Sequence, residues 1–257
     1  MKVLVTNDDG INAPSLWALV AELHKIAEVI VVAPDCERSA IGTAVTLFNP
    51  LHVRDFDPPV DGVTAYAADG TPGDCVILGH GKLVKGLDMV VSGINPGTNI
   101  GEDIYISGTV GAAMQGYSRG LPALAVSAYP GSQAAMDGAA KVATALVQQM
   151  AAEGFPKIFL NLNVPDKPLD KIVSVKITRL ARSSHINTVT EDNQGTLKQY
   201  RLVRERLPES GRPGTDIHAI IEGNISLTPI YMSLLEKPPP GLLKKLSATL
   251  LNDAKKV

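Results

Sequence analysis

Two adjacent carboxylates, Asp8 and Asp9, stand where an apolar run ends, in the stretch Thr6-Asn7-Asp8-Asp9-Gly10-Ile11-Asn12. Like charges this close repel, and the repulsion is relieved when a cation sits between them. Two later stretches carry oxygen donors as well: Pro34-Asp35-Cys36-Glu37-Arg38-Ser39-Ala40, with Ser39, and the glycine-rich segment 93–101, with Asn95. Asp8, Asp9, Ser39 and Asn95 offer hard oxygen ligands, which suit magnesium, manganese or calcium better than zinc. A fourth stretch, Ser107-Gly108-Thr109-Val110-Gly111, opens an alanine-rich helix. Free N–H groups and the helix dipole favour an anion such as phosphate there, and the Ser107 and Thr109 hydroxyls add hydrogen bonds. A cation site next to an anion cradle points to phosphoryl chemistry. Asn12 and Asn99 are further polar candidates for the same cleft.

Taken singly, each feature has a plainer role. Asp-Asp-Gly is commonly a turn or helix cap, Ser39 and Asn95 could simply bond their own loops, and Ser107 or Thr109 could be an ordinary N-cap. Asp74 fits a helix start as well as a functional site. The five histidines show no ligand spacing. What favours chemistry is the joint placement of the donors at strand ends, since ligands of open parallel sheets lie outside the carboxyl ends of the strands.

The elements that must position them follow from hydrophobic patterning. Residues 2–6 and 29–33 read as buried strands flanking a helix over 14–25, whose Leu16, Leu19, Val20 and Leu23 share one face. Alternating segments at 44–47, 52–56 and 63–67 read as a β insertion within 43–68. A helix opens at Gly70-Thr71-Pro72 and ends at Gly79 or Gly81. Strands over 87–92, 123–128 and 158–162 alternate with helices over 107–120 and 133–152, which predicts an α/β fold with a doubly wound, mostly parallel sheet. Beyond Pro165 the composition turns polar. Residues 171–179 and 196–204 are strand-like with a turn at 191–195, a pair expected to form an extended C-terminal β arm that packs on another subunit because a lone hairpin is marginal in water, the plainer alternative being a solvent-exposed hairpin against its own domain. A helix over 215–222, a strand over 224–229, the break Pro238-Pro239-Pro240 and a terminal helix over 242–255 complete the chain. The expected organisation is a catalytic core at 1–180, and an arm, oligomerisation segment and terminal helix at 181–257.

Composition narrows the function classes. With 257 residues, 45% hydrophobic and 19% charged, the chain can bury a large core, and a net charge of −2 gives no basic face for a nucleic-acid polymer. No apolar run approaches the roughly 20 residues that span a bilayer. Cys36 and Cys75 lack metal or redox spacing and the chain begins with a strand, so a cytoplasmic protein with reduced thiols is expected. No dinucleotide fingerprint or P-loop occurs. An acidic pair after the first strand also fits a non-catalytic, magnesium-binding receiver-like or nucleotide-binding signalling module. That module would show an aspartate ending a middle strand and a lysine ending a later one, whereas Ser92, Asn95 and Tyr129-Pro130 stand here.

The motifs taken together resemble the SurE survival-protein family of metal-dependent 5'/3'-nucleotidases. The matching blocks are Val5 to Ile11, Val32 to Asp35 with Glu37-Arg38-Ser39, Gly70-Thr71-Pro72 with Asp74-Cys75-Val76, Ser92 to Asn95 with Gly97 and Asn99, Ser107 to Ala113, and Thr215-Asp216. The resemblance implies a Rossmann-like core, one divalent ion (Mg2+ or Mn2+) held by Asp8, Asp9, Ser39 and Asn95, and a phosphate site at Ser107, Gly108 and Thr109. It implies hydrolysis of nucleoside 5'- or 3'-monophosphates, with short polyphosphate a further substrate, and a homodimer or homotetramer joined through an exchanged C-terminal arm. Asp8, Asp9 and Asn95 are then the expected catalytic residues, and Asn12 and Asn99 accompany the cradle in substrate binding. The sequence differs from the family pattern at Cys36, at Ala40, at Ile106 with Tyr105 before it, and in the arm, which lacks an aromatic-rich stretch.

Overall fold

The computed structural model describes residues 1–129, 133–182, 185–192, 198–206, 211–232 and 241–256. The chain opens with β1 (Lys2–Thr6), α1 (Pro14–Leu23) and β2 (Glu28–Pro34), then β3 (Val53–Asp55), β4 (Thr64–Ala68) and α2 (Pro72–Leu78). It continues through β5 (Met89–Pro96), α3 (Gly108–Ser118), β6 (Ala123–Ala128), α4 (Gln133–Ala152), β7 (Phe159–Val164) and β8 (Val175–Ile177). The remaining elements are β9 (His185–Asp192), β10 (Gln199–Arg206), α5 (Asp216–Ile221), β11 (Ile225–Pro229) and α6 (Leu242–Lys256).

A nine-stranded sheet runs in the order β3-β4-β2-β1-β5-β6-β7-β11-β8. From β4 to β7 every pairing is parallel, while β3 is antiparallel to β4 and β11 antiparallel to β7, so the sheet is doubly wound and mostly parallel as expected. Alternation along β1 splits its side chains between two layers. Val3 and Val5 pack with residues of α1, α4 and α6, and Leu4 packs with Cys75 and Val76 of α2. Each fully buried aliphatic side chain of this kind contributes about 1.5–3 kcal/mol relative to exposure. Strand order departs in one direction from β1 through β2 and in the other through β5, which places the switch point, the usual ligand crevice of such sheets, between β1 and β5.

Two expectations are corrected. Residues 44–47 form no strand, because their polar groups serve the start of α2: Thr71 Oγ1 donates to Ala44 O (2.7 Å), and Thr46 N and Oγ1 both donate to the Asp74 carboxylate (2.9 and 2.6 Å). Asp74 also completes a capping box with Thr71, so it is a helix-start carboxylate. The rest of the insertion forms β3 and β4, which extend the main sheet at one edge. The second correction concerns the arm. β8, expected as its first strand, instead joins the sheet parallel to β11, and the hairpin pairs β9 with β10 from Gln199↔Asp192 to Arg206↔His185.

The chain therefore returns to the core after the hairpin, with β11 buried between β7 and β8, and α6 burying Leu246, Leu250 and Ala254 against the layer that holds α4. Most of the expected turn at 191–195 and all of the proline triplet 238–240 lie outside the described residues. Among the described residues no helix is long and apolar enough to cross a membrane.

Candidate active site

The first loop is rigid before any ligand is considered. Asn7 Nδ2 donates to Gly10 O (2.9 Å), Ile11 N to Pro34 O (2.7 Å) and Trp17 Nε1 to Ile11 O (2.7 Å). These bonds fix Asp8 and Asp9 at the end of β1. The second loop docks on the same point, since Arg38 N donates to Asp8 O (2.7 Å). Helix α3 arrives from the far side, where Thr109 Oγ1 donates to Asp8 Oδ1 at 2.5 Å. Gly108 lies so near that a Cβ there would stand 2.7 Å from Asp8 Cβ and 2.9 Å from its Oδ2. Only a residue without a side chain lets the helix N-terminus approach the carboxylate this closely.

Asn95 reaches the cleft from the neighbouring strand. Thr6 of β1 pairs with Ser92 of β5, and the β5–β6 register shifts between Ser92 and Asn95. The backbone at Gly93 has φ +139, and a Cβ would meet Val126 O at 2.3 Å, so the irregularity depends on glycine. Asn95 Nδ2 donates to Gly97 O (2.6 Å), which leaves its Oδ1 as a possible ligand atom.

Electrostatics support a cation. Asp9 is pushed from 3.8 up to about 7, first by burial and then by the negative charges of Asp8 and Glu37. Burial also raises Asp8, against the Thr109 hydroxyl and the Gly108 and Thr109 N–H groups, which favour its charged form. Asp9 Oδ2 is buried with no hydrogen-bond partner, as are Asn7 Oδ1 in the same loop and Ser92 Oγ on the adjoining strand. A buried carboxylate oxygen without a donor is costly, and a divalent ion removes the cost. Among the described residues no group of three His, Cys, Asp or Glu side chains is arranged for a metal; two carboxylates with Ser39 and Asn95 would be a mixed oxygen set.

The structure brings Asp8, Asp9, Gly108 and Thr109 together and sets Asn95 on the adjoining strand. Ser39 follows directly on Arg38, but its hydroxyl is exposed and donates to Glu37 Oε1 (2.6 Å). Asn12 is exposed, at the start of the turn into α1. Ser107 caps α3, accepting from Val110 N (3.1 Å) and keeping its own proton to donate.

Asn99 differs from expectation. It is buried, its Nδ2 donates to Ser127 Oγ (2.9 Å), its N–H donates to Asn163 Oδ1 (2.9 Å), and its carbonyl accepts from Asn161 (2.8 Å) and Asn163 (3.1 Å). Its geometry holds the loop. The sequence gives Asn161 and Asn163 no assigned role, although alternate asparagines inside the apolar run Phe159-Leu160-Asn161-Leu162-Asn163-Val164 are a polar stripe that signals a buried network.

Fold and site together define an α/β protein whose acidic pair meets a helix N-terminus at the switch point of its sheet. Comparison with known proteins makes that more specific. The survival protein SurE family profile matches residues 3–187. A 5'-nucleotidase SurE of Dehalococcoides mccartyi is 46% identical over 242 residues, covering 93% of this chain and 91% of the relative. A 5'-nucleotidase SurE of Syntrophotalea carbinolica is 45% identical, covering 91% of this chain and 92% of the relative. The crystal structure of the SurE protein from Aquifex aeolicus superimposes with a TM-score of 0.79 at 34% identity, covering 92% of this chain and 95% of that one. This chain belongs to the SurE family.

Proposed function

We propose that the chain is a metal-dependent phosphomonoesterase that hydrolyses nucleoside monophosphates to nucleoside and phosphate. The observation that carries the reading is the double use of Asp8, whose carboxylate belongs to the acidic pair and is gripped by the N-terminus of α3 through Thr109 and Gly108. A cation on the pair and a phosphate on the helix would therefore be neighbours. The names of relatives 45% and 46% identical over nearly the whole chain specify the substrate class and leave the signalling-module alternative unfavoured.

Asp8, Asp9, Ser39 and Asn95 would hold one divalent ion, Mg2+ or Mn2+, with Ser39 turned from Glu37 toward it. When bound, the ion supplies positive charge to a phosphate oxygen and makes water more acidic. The chain's own groups do the rest. The Ser107 hydroxyl and the positive end of the α3 dipole bind the remaining phosphate oxygens and stabilise the charge that builds on them in the transition state. Thr109 acts through Asp8, which its hydroxyl and backbone N–H hold. The acidic pair, Asp8 or Asp9, orients the attacking water through a carboxylate oxygen not used on the ion. Asn12 at the lip supplies a polar contact to the leaving nucleoside.

Oligomer formation through the β9–β10 hairpin fits the exposed Val189, Tyr200 and Leu202 on it, apolar side chains that a partner would cover. Residence in the cytoplasm fits the two unpaired thiols.

Phosphate release from AMP, GMP and an aryl phosphate, measured with Mn2+ or Mg2+ and with chelator, tests the reading beside Asp8→Asn and Asn95→Ala. Turnover that needs metal and falls in both variants is expected. Metal-independent turnover, or full activity in both variants, removes the site assignment, and no turnover with either metal removes the enzyme.

A further inference from the structure

The segment that leads into the anion cradle has almost no structure of its own. Between the end of β5 at Pro96 and the start of α3 it forms one 3-10 turn, Gly101–Tyr105. It is held from outside at nearly alternate residues. Asn99 is clamped by Asn161 and Asn163. Gly101 N donates to Asp216 Oδ2 (2.7 Å), Asp103 pairs with Arg204 of β10, and Ile106 O accepts from Gly42 N (2.9 Å).

Asp216 stands apart in this set. It is fully buried, and its carboxylate accepts three backbone N–H groups from separate parts of the chain. Oδ2 takes Gly101 N, and Oδ1 takes Ala181 N (2.9 Å) and its own helix's Ile217 N (2.8 Å). Its backbone N–H in turn donates to Arg179 O (3.0 Å). Converging donors of this kind call for a group with two accepting oxygens and no donor, which only an ionised carboxylate supplies, and charge makes the bonds stronger than neutral ones. Capping a six-residue helix does not need the bonds to Gly101 and Ala181, which are 115 and 35 residues away in sequence.

We propose that Asp216 is a positioning residue for the anion cradle: its carboxylate ties Gly101, on the approach to Ser107–Thr109, to Ala181 at the root of the β9–β10 hairpin, so that hairpin root and cradle are placed as one unit. The inference rests on reading Ser107–Thr109 as the phosphate site. Asp216 touches no substrate in this scheme. It acts through Gly101, six residues before Ser107, and the Arg204–Asp103 pair adds a second link from the hairpin to the same turn.

The test compares Asp216→Asn with Thr215→Ala in the full-length, metal-loaded protein. The asparagine keeps the shape but presents an NH2 group to one of the N–H donors, so one tie is lost. Thr215→Ala removes the cap of α5, where Thr215 accepts from His218 N and donates to Arg212 O, and leaves the Gly101 bond intact. In Asp216→Asn, amide exchange of peptides covering 98–107 should rise at least about tenfold. Its kcat should fall about tenfold or more, by a similar factor for AMP and an aryl phosphate, with KM changed far less, as expected when a catalytic group is slightly misplaced. Thr215→Ala should lower the melting temperature while both readouts stay at wild-type values.

Unchanged exchange or unchanged kcat in Asp216→Asn overturns the proposal, and so does a Thr215→Ala protein that reproduces both changes. If Asp216→Asn fails to fold, Asp216→Glu, which keeps the charge but moves both oxygens by a methylene, is judged by the same outcomes. Should the wild-type protein release no phosphate, the nucleotidase reading falls, and the exchange comparison still decides whether the tie exists.

Discussion

Replacing Gly108 by alanine tests the junction of cation and anion sites with a single methyl group. The added Cβ would lie 2.7 Å from Asp8 Cβ, 2.9 Å from Asp8 Oδ2 and 3.0 Å from Ile41 Cγ2. Carbon atoms rest at about 3.5–4.0 Å, so α3 and the Asp8 loop must separate by close to 1 Å. The loop cannot yield freely, because Asp8 O is bonded to Arg38 N, and Ile11 N to Pro34 O. The helix end therefore takes most of the displacement. A shift of about 1 Å in a positioned catalytic group costs on the order of a hundredfold in rate. Overpacking costs about 1–3 kcal/mol of stability, offset in part by alanine's better helix propensity of up to about 1 kcal/mol. The expected result is a folded protein with kcat on AMP reduced about a hundredfold and a melting temperature lowered by a few degrees. The assay is steady-state phosphate release with Mn2+, alongside thermal unfolding. Wild-type kcat in Gly108→Ala would refute the claim that α3 must sit against Asp8. Activity lost only in step with unfolding would refute the local mechanism.

Three further outcomes are expected. Thr109→Val keeps the shape but removes the hydroxyl on Asp8 Oδ1; it should cost about 1–3 kcal/mol, raise the Asp8 carboxyl further and weaken Mn2+ binding, measured by calorimetry and denaturant titration. Asp9, raised to about 7 in the metal-free protein, binds its proton more tightly folded than unfolded, so its contribution to stability is complete below about pH 4 and is lost as pH rises through about 7. Divalent ion competes with that proton, so Mn2+ should raise the melting temperature more at pH 8 than at pH 5, and Asp9→Asn should flatten the difference. Leu250→Ala empties a fully buried position of α6 and should cost about 2–5 kcal/mol; a change below about 1 kcal/mol would mean that α6 does not pack on this core.

The parallel sheet was legible because its signals are local. A β-branched run at 29–33, a short apolar segment within 87–92 and a twenty-residue amphipathic helix, α4, need no distant partner to be read. The edges were not. β8 is a strand because β11 arrives beside it about fifty residues later, and nothing in Val175-Lys176-Ile177 announces that partner. Residues 44–47 alternate like a strand, yet their polar groups were claimed by the cap of α2, a tertiary choice that pattern cannot see. The site divides in the same way. Its donors, Asp8, Asp9, Asn95 and the α3 N-terminus, are marked by residue type at strand and helix ends. The groups that aim them, Asn161, Asn163 and Asp216, act across 62 to 115 residues of chain and acquire meaning only when the sheet is assembled.

The placement of β11 between β7 and β8 also bears on how the protein is made. During synthesis β1 to β7 emerge first and can pair as one continuous block, parallel but for β3, and its β7 edge stays open until residues 225–229 leave the ribosome. Open edges of this kind recruit other strands, and long-range pairing is slow because the intervening chain must be closed before any contact rewards it. The nascent chain thus carries an adhesive edge for more than sixty residues of translation. Completion of the sheet, and with it the Asp216 bond that steadies the approach to the cradle, comes near the end, so a truncated chain would lack its active-site geometry as well as its last strand.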